Sequence, residues 1–280
     1  MSLWETAIKE AADKVPGKDA QDGDYKGGDG LLYCGKCNTR KQTRIYVLGK
    51  DRIVPIMCQC EQEKREVELA ERKAEAHKAA VERLRKDCFR SAEFEHCTFA
   101  ADDKTNQRVS GAMNRYAAKW EEIKADNMGL LLYGPVGTGK SFYAACIANA
   151  LIEKEIPVMM TSFSRIVNTL QNSFGGRQEY IDKLVSYPLL IIDDLGAERG
   201  SDYMMEQVYS VVDARYQSGL PLIVTTNIPI EEVLEPADLK YKRIYDRIIQ
   251  MCFAIKVDGP SRRRESVKSK SADRKKLLGL

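Results

Sequence analysis

From Cys88 onward, short apolar runs alternate with amphipathic stretches. Positions 129–133, 157–160, 189–192 and 222–225 read as strands. The unbroken apolar run Leu189-Leu190-Ile191-Ile192 is what a strand covered on both faces requires. Positions 109–124, 141–154, 163–172, 178–185 and 202–216 read as helices, with Gly175-Gly176 as a break. This alternation predicts an α/β fold, a parallel sheet flanked by helices.

The first part of the chain patterns differently. A short helix is expected around 4–15, and the Gly/Asp-rich stretch 17–30 reads as a linker. Two β-type runs, 44–48 and 52–57, flank Gly49-Lys50-Asp51, a hairpin signal. Residues 61–87 are rich in Glu, Lys, Arg and Ala without Gly or Pro, which predicts one long helix. Its apolar positions are sparse, so it reads as a solvated strut or a face for a partner helix, with His77 on its surface. The expected organisation is an N-terminal helix and linker (1–30), a four-cysteine module (31–60), a charged helix (61–88), an α/β domain (89–265) and a basic tail (266–280).

Composition narrows the class. Of 280 residues, 44% are hydrophobic and 30% charged, a soluble balance. No apolar run reaches the roughly 18–20 residues of a membrane span, and the N-terminus lacks an apolar signal core, so a cytoplasmic protein without a membrane partner is expected. Eight Lys or Arg fall within 260–280 against Glu265 and Asp273. Such a tail suits a polyanionic partner or simply aids solubility.

Eight cysteines need a reason in a reducing compartment. Cys34-x-x-Cys37 and Cys58-x-Cys60 bracket the hairpin. Closely spaced pairs can each supply two corners of a tetrahedral site, and the segment has too few apolar side chains for a core of its own. A structural zinc on these four is expected, with no open position for catalysis. Cys88, Cys97, Cys146 and Cys252 read as small core residues.

Gly134-Pro135-Val136-Gly137-Thr138-Gly139-Lys140-Ser141 fits G-x-x-x-x-G-K-[ST] between a strand and a helix. The glycines let main-chain N–H groups approach phosphate oxygens, and the helix N-terminus adds its dipole. Lys140 brings a full charge to the β/γ-phosphates of ATP, and the Ser141 hydroxyl can ligate Mg²⁺. Asp193 and Asp194 end an apolar strand, where Asp193 is placed to hold the magnesium and Asp194 to orient the attacking water. Asn227, at the tip of the next strand, can touch the γ-phosphate or serve only as a turn residue. Arg243 and Arg247 share a helix face, for a neighbour's γ-phosphate or a surface ion pair with Asp246 or its neighbours.

The strings GLLLYGPVGTGKS, LLIIDDLGAE, VTTNI, KRIYDRI and GPSRRR, in that order over about 90–265, resemble the AAA+ helicase loaders of the DnaC type and the related IstB-like ATPases. YCGKCNTRKQ and IMCQCE are similar to the cysteine-bearing N-terminal region of DnaC-type replication proteins. The resemblance implies that Asn227 is the first sensor, Arg247 an arginine finger acting in trans, and Arg263 the second sensor, with Arg262 and Arg264 as alternatives. Asp194 stands where AAA+ proteins usually carry Glu, though Asp occurs in this branch. The implied role is an ATPase that grips a hexameric replicative helicase, self-associates through its ATPase domain and binds single-stranded DNA. An ATPase assisting a transposase, a small-molecule P-loop kinase and a zinc-stapled DNA-binding protein with structural ATP are the competing readings.

Overall fold

The computed structural model describes residues 23–47, 49–172, 176–196 and 202–262. The expected helix at 4–15 and the basic tail lie outside them. The chain divides into two compact units after His77.

In the first unit, β1 (Tyr25–Lys26) pairs with β2 (Leu32–Tyr33), and β3 (Gln42–Val47) with β4 (Lys50–Pro55), both antiparallel. The linker reading of 17–30 therefore fails at its described end. Tyr25 opposes Tyr33 with their rings stacked at 5.7 Å, enough apolar contact to order a Gly/Asp-rich segment. The second hairpin is tighter than its sequence suggested. Lys50 and Asp51 belong to the strand, opposite Val47 and Tyr46, which leaves a two-residue turn. A buried Lys41–Asp24 ion pair, 2.6 Å long, ties the two hairpins together. Helix α1 (Gln59–Cys88) begins directly after Cys58; Val81 and Cys88 are its buried residues, in keeping with its sparse apolar pattern.

The second unit opens with the end of α1, the short α2 (Ala92–Glu95), α3 (Gln107–Ala118) and α4 (Trp120–Ala125). The expected single helix at 109–124 is thus two, broken at Lys119 (ψ 29°) without a Gly or Pro to mark it. Then follow β5 (Gly129–Tyr133), α5 (Lys140–Ile152), β6 (Val158–Ser162), α6 (Phe163–Asn172), α7 (Arg177–Ser186), β7 (Leu189–Leu195), α8 (Asp202–Ser218), β8 (Leu222–Thr226), α9 (Ile230–Leu234), α10 (Leu239–Met251) and β9 (Cys252–Lys256). The sheet is parallel throughout, in the order β6-β7-β8-β5-β9. β9 has no counterpart in the sequence reading: it follows α10 without a turn signal.

Strand residues alternate between two apolar layers. Leu130 and Leu132 pack with α3, α4 and α5, while Leu131, Ile192 and Val224 pack with α6, α7, α8 and α10. Covering both faces in this way explains the continuous apolar runs. All four scattered cysteines are buried, as expected of core residues. Among the described residues, no helix is long and apolar enough to cross a membrane.

Candidate functional site: a phosphate-binding loop and a thiol cluster

In a parallel sheet, the loops that leave the carboxyl ends of adjacent strands gather at one edge. Here that edge holds a cavity of ≈ 690 Å³ lined by Gly137, Gly139, Lys140, Ser141, Asp193, Asp194 and Asn227. Lys140 and the two aspartates, 53 or more positions apart in sequence, thus face one space.

The loop conformation needs its glycines. Gly134 has φ 139°, and a Cβ there would meet Val257 O at 2.4 Å. Gly139 has φ 100°, immediately before α5, and a Cβ would press on the Arg262 guanidinium. Lys140 begins α5 and is buried, its Nζ donating to Gly134 O (2.9 Å), Pro135 O (2.8 Å) and Asn227 Oδ1 (2.6 Å).

Asp193 and Asp194 sit where the β7–β8 register shifts between Ile192 and Leu195. Asp194 has φ 65°, a left-handed conformation that costs a non-glycine residue about 1 kcal/mol or more. Neighbouring hydrogen bonds offset that strain. Thr225 Oγ1 accepts from the Asp194 amide (2.9 Å) and donates to Asp193 Oδ1 (2.6 Å). Asn227 Nδ2 donates to Asp194 Oδ1 (3.0 Å). Sequence reading missed Thr225, since threonine in a strand carries no signal of such a double role.

Arg263 lies outside the described residues, whereas Arg262 lines the cavity. Its amide donates to Gly137 O (2.9 Å); its guanidinium donates to Asp102 (2.9 Å) and Tyr143 OH (2.7 Å) and lies over the Phe142 ring at 4.7 Å. Glu93, Phe94, Cys97 and Phe142 complete the wall, none of them marked by a motif. Arg247 does not line this cavity. On α10, it donates to Asp213 Oδ1 (3.1 Å) and lies 4.3 Å over the Tyr216 ring. An ion pair does form, but with Asp213 on α8 and not with Asp246 or its neighbours. Arg243, one turn earlier, is exposed.

In the first unit, the sulfur atoms of Cys34, Cys37, Cys58 and Cys60 all lie within 4.8 Å of one another. Cys60 Sγ is 3.4 Å from Cys58 Sγ and 3.6 Å from Cys34 Sγ. Four zinc–sulfur bonds of about 2.3 Å in a tetrahedron set sulfurs about 3.8 Å apart, so the donor set fits zinc. The Thr39 hydroxyl, with main-chain amides, draws the Cys37 thiol down to about 5; hydrogen bonding with Cys58, Cys34 and Cys37 pushes Cys60 up to about 12. Cys34 and Cys37 are drawn toward the thiolate while Cys60 beside them resists ionising, a conflict a divalent cation removes.

Several known proteins share this architecture. The replicative helicase loader DnaI of Bacillus subtilis is 32% identical over 147 residues, 48% of this chain and 47% of DnaI. The match thus spans about half of DnaI's length. A putative ATP-binding protein in an insertion sequence of Mycobacterium tuberculosis is 31% identical over 208 residues, 71% of this chain and 78% of that protein. The helicase loader DnaC of Escherichia coli is 26% identical over 158 residues, 55% of this chain and 63% of DnaC. Crystal structures of DnaI and DnaC each superpose with a TM-score of 0.53, at 23% and 18% identity. They cover 64% and 60% of this chain, and 99% and 100% of theirs, a likeness of fold. The sequence pattern of the IstB-like ATP binding proteins matches residues 52–271, and the phosphate-binding loop with its paired aspartates lies inside that match: the chain belongs to the IstB-like ATP-binding protein family.

Proposed function

We propose that the protein is an ATP-hydrolysing, cytoplasmic loader of a hexameric replicative helicase that self-associates and handles single-stranded DNA. The observation that carries the ATPase reading is the connected array Lys140–Asn227–Asp194, beside Thr225–Asp193, at one cavity. The similarity to DnaI and DnaC supports the helicase as partner.

In this reading the amides of residues 134–141 and Lys140 hold the triphosphate, and Ser141 with Asp193 holds magnesium. A cation held there would supply positive charge to offset the charge that builds up on the phosphate oxygens. Asp194 accepts a hydrogen bond from the attacking water and aligns it with the γ-phosphorus. Asn227 keeps that carboxylate in place and reports the γ-phosphate. Arg262, which stands in the cavity wall, is assigned the second-sensor role. Arg247, fixed by Asp213 and Tyr216, is assigned to a neighbouring copy's γ-phosphate. The four cysteines hold a structural zinc.

Co-purification of the full chain with the host's replicative helicase, with and without ATP, tests the loader role. Helicase capture that changes with nucleotide is the expected result; capture of a transposase and no helicase establishes the second reading. That second reading, an ATPase assisting transposition, is favoured by the match covering 78% of the insertion-sequence protein.

A further inference from the structure

A second cleft, of ≈ 540 Å³, lies beside β6, at the edge of the sheet. The proposed nucleotide chemistry makes no use of it. Lys86 at the end of α1, Arg90 just after it, Arg165 on α6 and Lys183 on α7 all line it, with Asp87 as the one carboxylate of the lining. The four cations are exposed, and among the described residues none of them forms an ion pair. Like charges converging from three elements repel one another, and a multivalent anion relieves that repulsion. Tyr180 and Tyr187 stand half-buried in the same wall.

An acidic peptide added as a further strand fits this edge poorly. Cys88 Sγ lies against the Met160 main chain, in the way of such a ladder. A cleft of cations and aromatic rings instead matches a phosphodiester chain with unstacked bases. A double helix, with its bases stacked inside, offers those rings nothing.

We infer that this cleft binds the backbone of single-stranded nucleic acid, the four cations on phosphates and the two tyrosines against bases. The inference deepens the strand-handling part of the loader reading and rests on it.

The test uses the full chain and a fluorescein-labelled oligo(dT), with binding read by anisotropy across a salt series. Arg90→Gln combined with Arg165→Gln is expected to weaken binding roughly tenfold or more near 0.1 M salt. The log–log salt slope should flatten by about 1.4, two phosphates at about 0.7 each. Tyr180→Ala is expected to weaken binding about fivefold or more with the slope unchanged. Wild-type binding matched by the double variant overturns the cleft while leaving the loader reading intact. Equal competition by poly-glutamate overturns the ligand class. No oligo(dT) binding by the wild type overturns both the cleft and the strand-handling reading, while helicase capture judges the loader role separately. Should the double variant melt early, Lys86→Gln with Lys183→Gln applies the same criteria.

Discussion

Lys140 Nζ and Asn227 Oδ1 are 2.6 Å apart, and the other arm of the same amide donates to Asp194 Oδ1. One side chain at the tip of β8 therefore couples the lysine proposed to hold the phosphates to the acid proposed to orient water. Asn227→Ala is expected to retain ATP affinity while turnover falls about 10- to 100-fold. Lys140→Ala is expected to lose affinity itself. Titration with a fluorescent ATP analogue and phosphate-release kinetics separate the two; unchanged turnover in Asn227→Ala removes the residue from the mechanism.

Thr225 is buried, and its hydroxyl serves both aspartates. Thr225→Val keeps the shape and deletes both bonds. Each lost bond to a buried partner costs about 1–3 kcal/mol, and Asp194 loses the contact that offsets its strained φ. The expected outcome is a weaker apparent Mg²⁺ affinity in ATP hydrolysis together with a lower melting temperature. A variant that melts early but needs no more Mg²⁺ than wild type makes Thr225 purely structural.

The strands, the loop and the paired aspartates were legible because their chemistry is local: an apolar run, a glycine spacing and two acids at a strand end. What escaped was set by tertiary contact. β9 fully buries only Cys252 and follows Met251 without a break, so its pattern carried no strand signal. Three consecutive arginines, 262 to 264, are equivalent in sequence; the Arg262 amide bonded to Gly137 O turns that one toward the cavity. The Lys119 break and the Tyr25–Tyr33 ladder depend equally on neighbours that no local pattern names.

Arg215 on α8 is wholly buried and donates to four main-chain carbonyls, those of Val185, Tyr187, Pro188 and Pro221. Burial draws its pKa down to about 10, yet the carbonyls at the starts of β7 and β8 depend on it. Arg215→Met strands those acceptors, at about 1–3 kcal/mol for each left unsatisfied, and is expected to cost about 3 kcal/mol or more. At about 2–4 °C per kcal/mol, the melting temperature should fall by roughly 6 °C or more. A smaller shift in calorimetry means that water replaces the guanidinium.

Arg247 is immobilised by Asp213 and by the face of Tyr216. A finger acting on a neighbour's phosphate gains from such pre-organisation, because less side-chain entropy is lost on contact. Arg247→Ala is expected to leave ATP binding unchanged and to cut turnover about 10³-fold in the assembled state alone. Turnover measured against protein concentration checks this. An early-melting variant whose turnover per assembled copy matches wild type makes the ion pair a local brace.

The thiol cluster predicts a separable behaviour for the first unit. The hairpins there bury few apolar residues, Leu31 and Leu32 among them, so the metal proposed for the four cysteines would be the main source of their order. Elemental analysis is expected to find one zinc per chain. Cys58→Ser removes a buried donor beside the start of α1 and should release the metal. Hydrogen exchange should then rise sharply in residues 24–57 and stay unchanged in the parallel sheet, whose two apolar layers contain none of the four cysteines. Protection of those hairpins that survives both the substitution and chelation makes the Lys41–Asp24 pair and the stacked tyrosines sufficient, and the metal unnecessary.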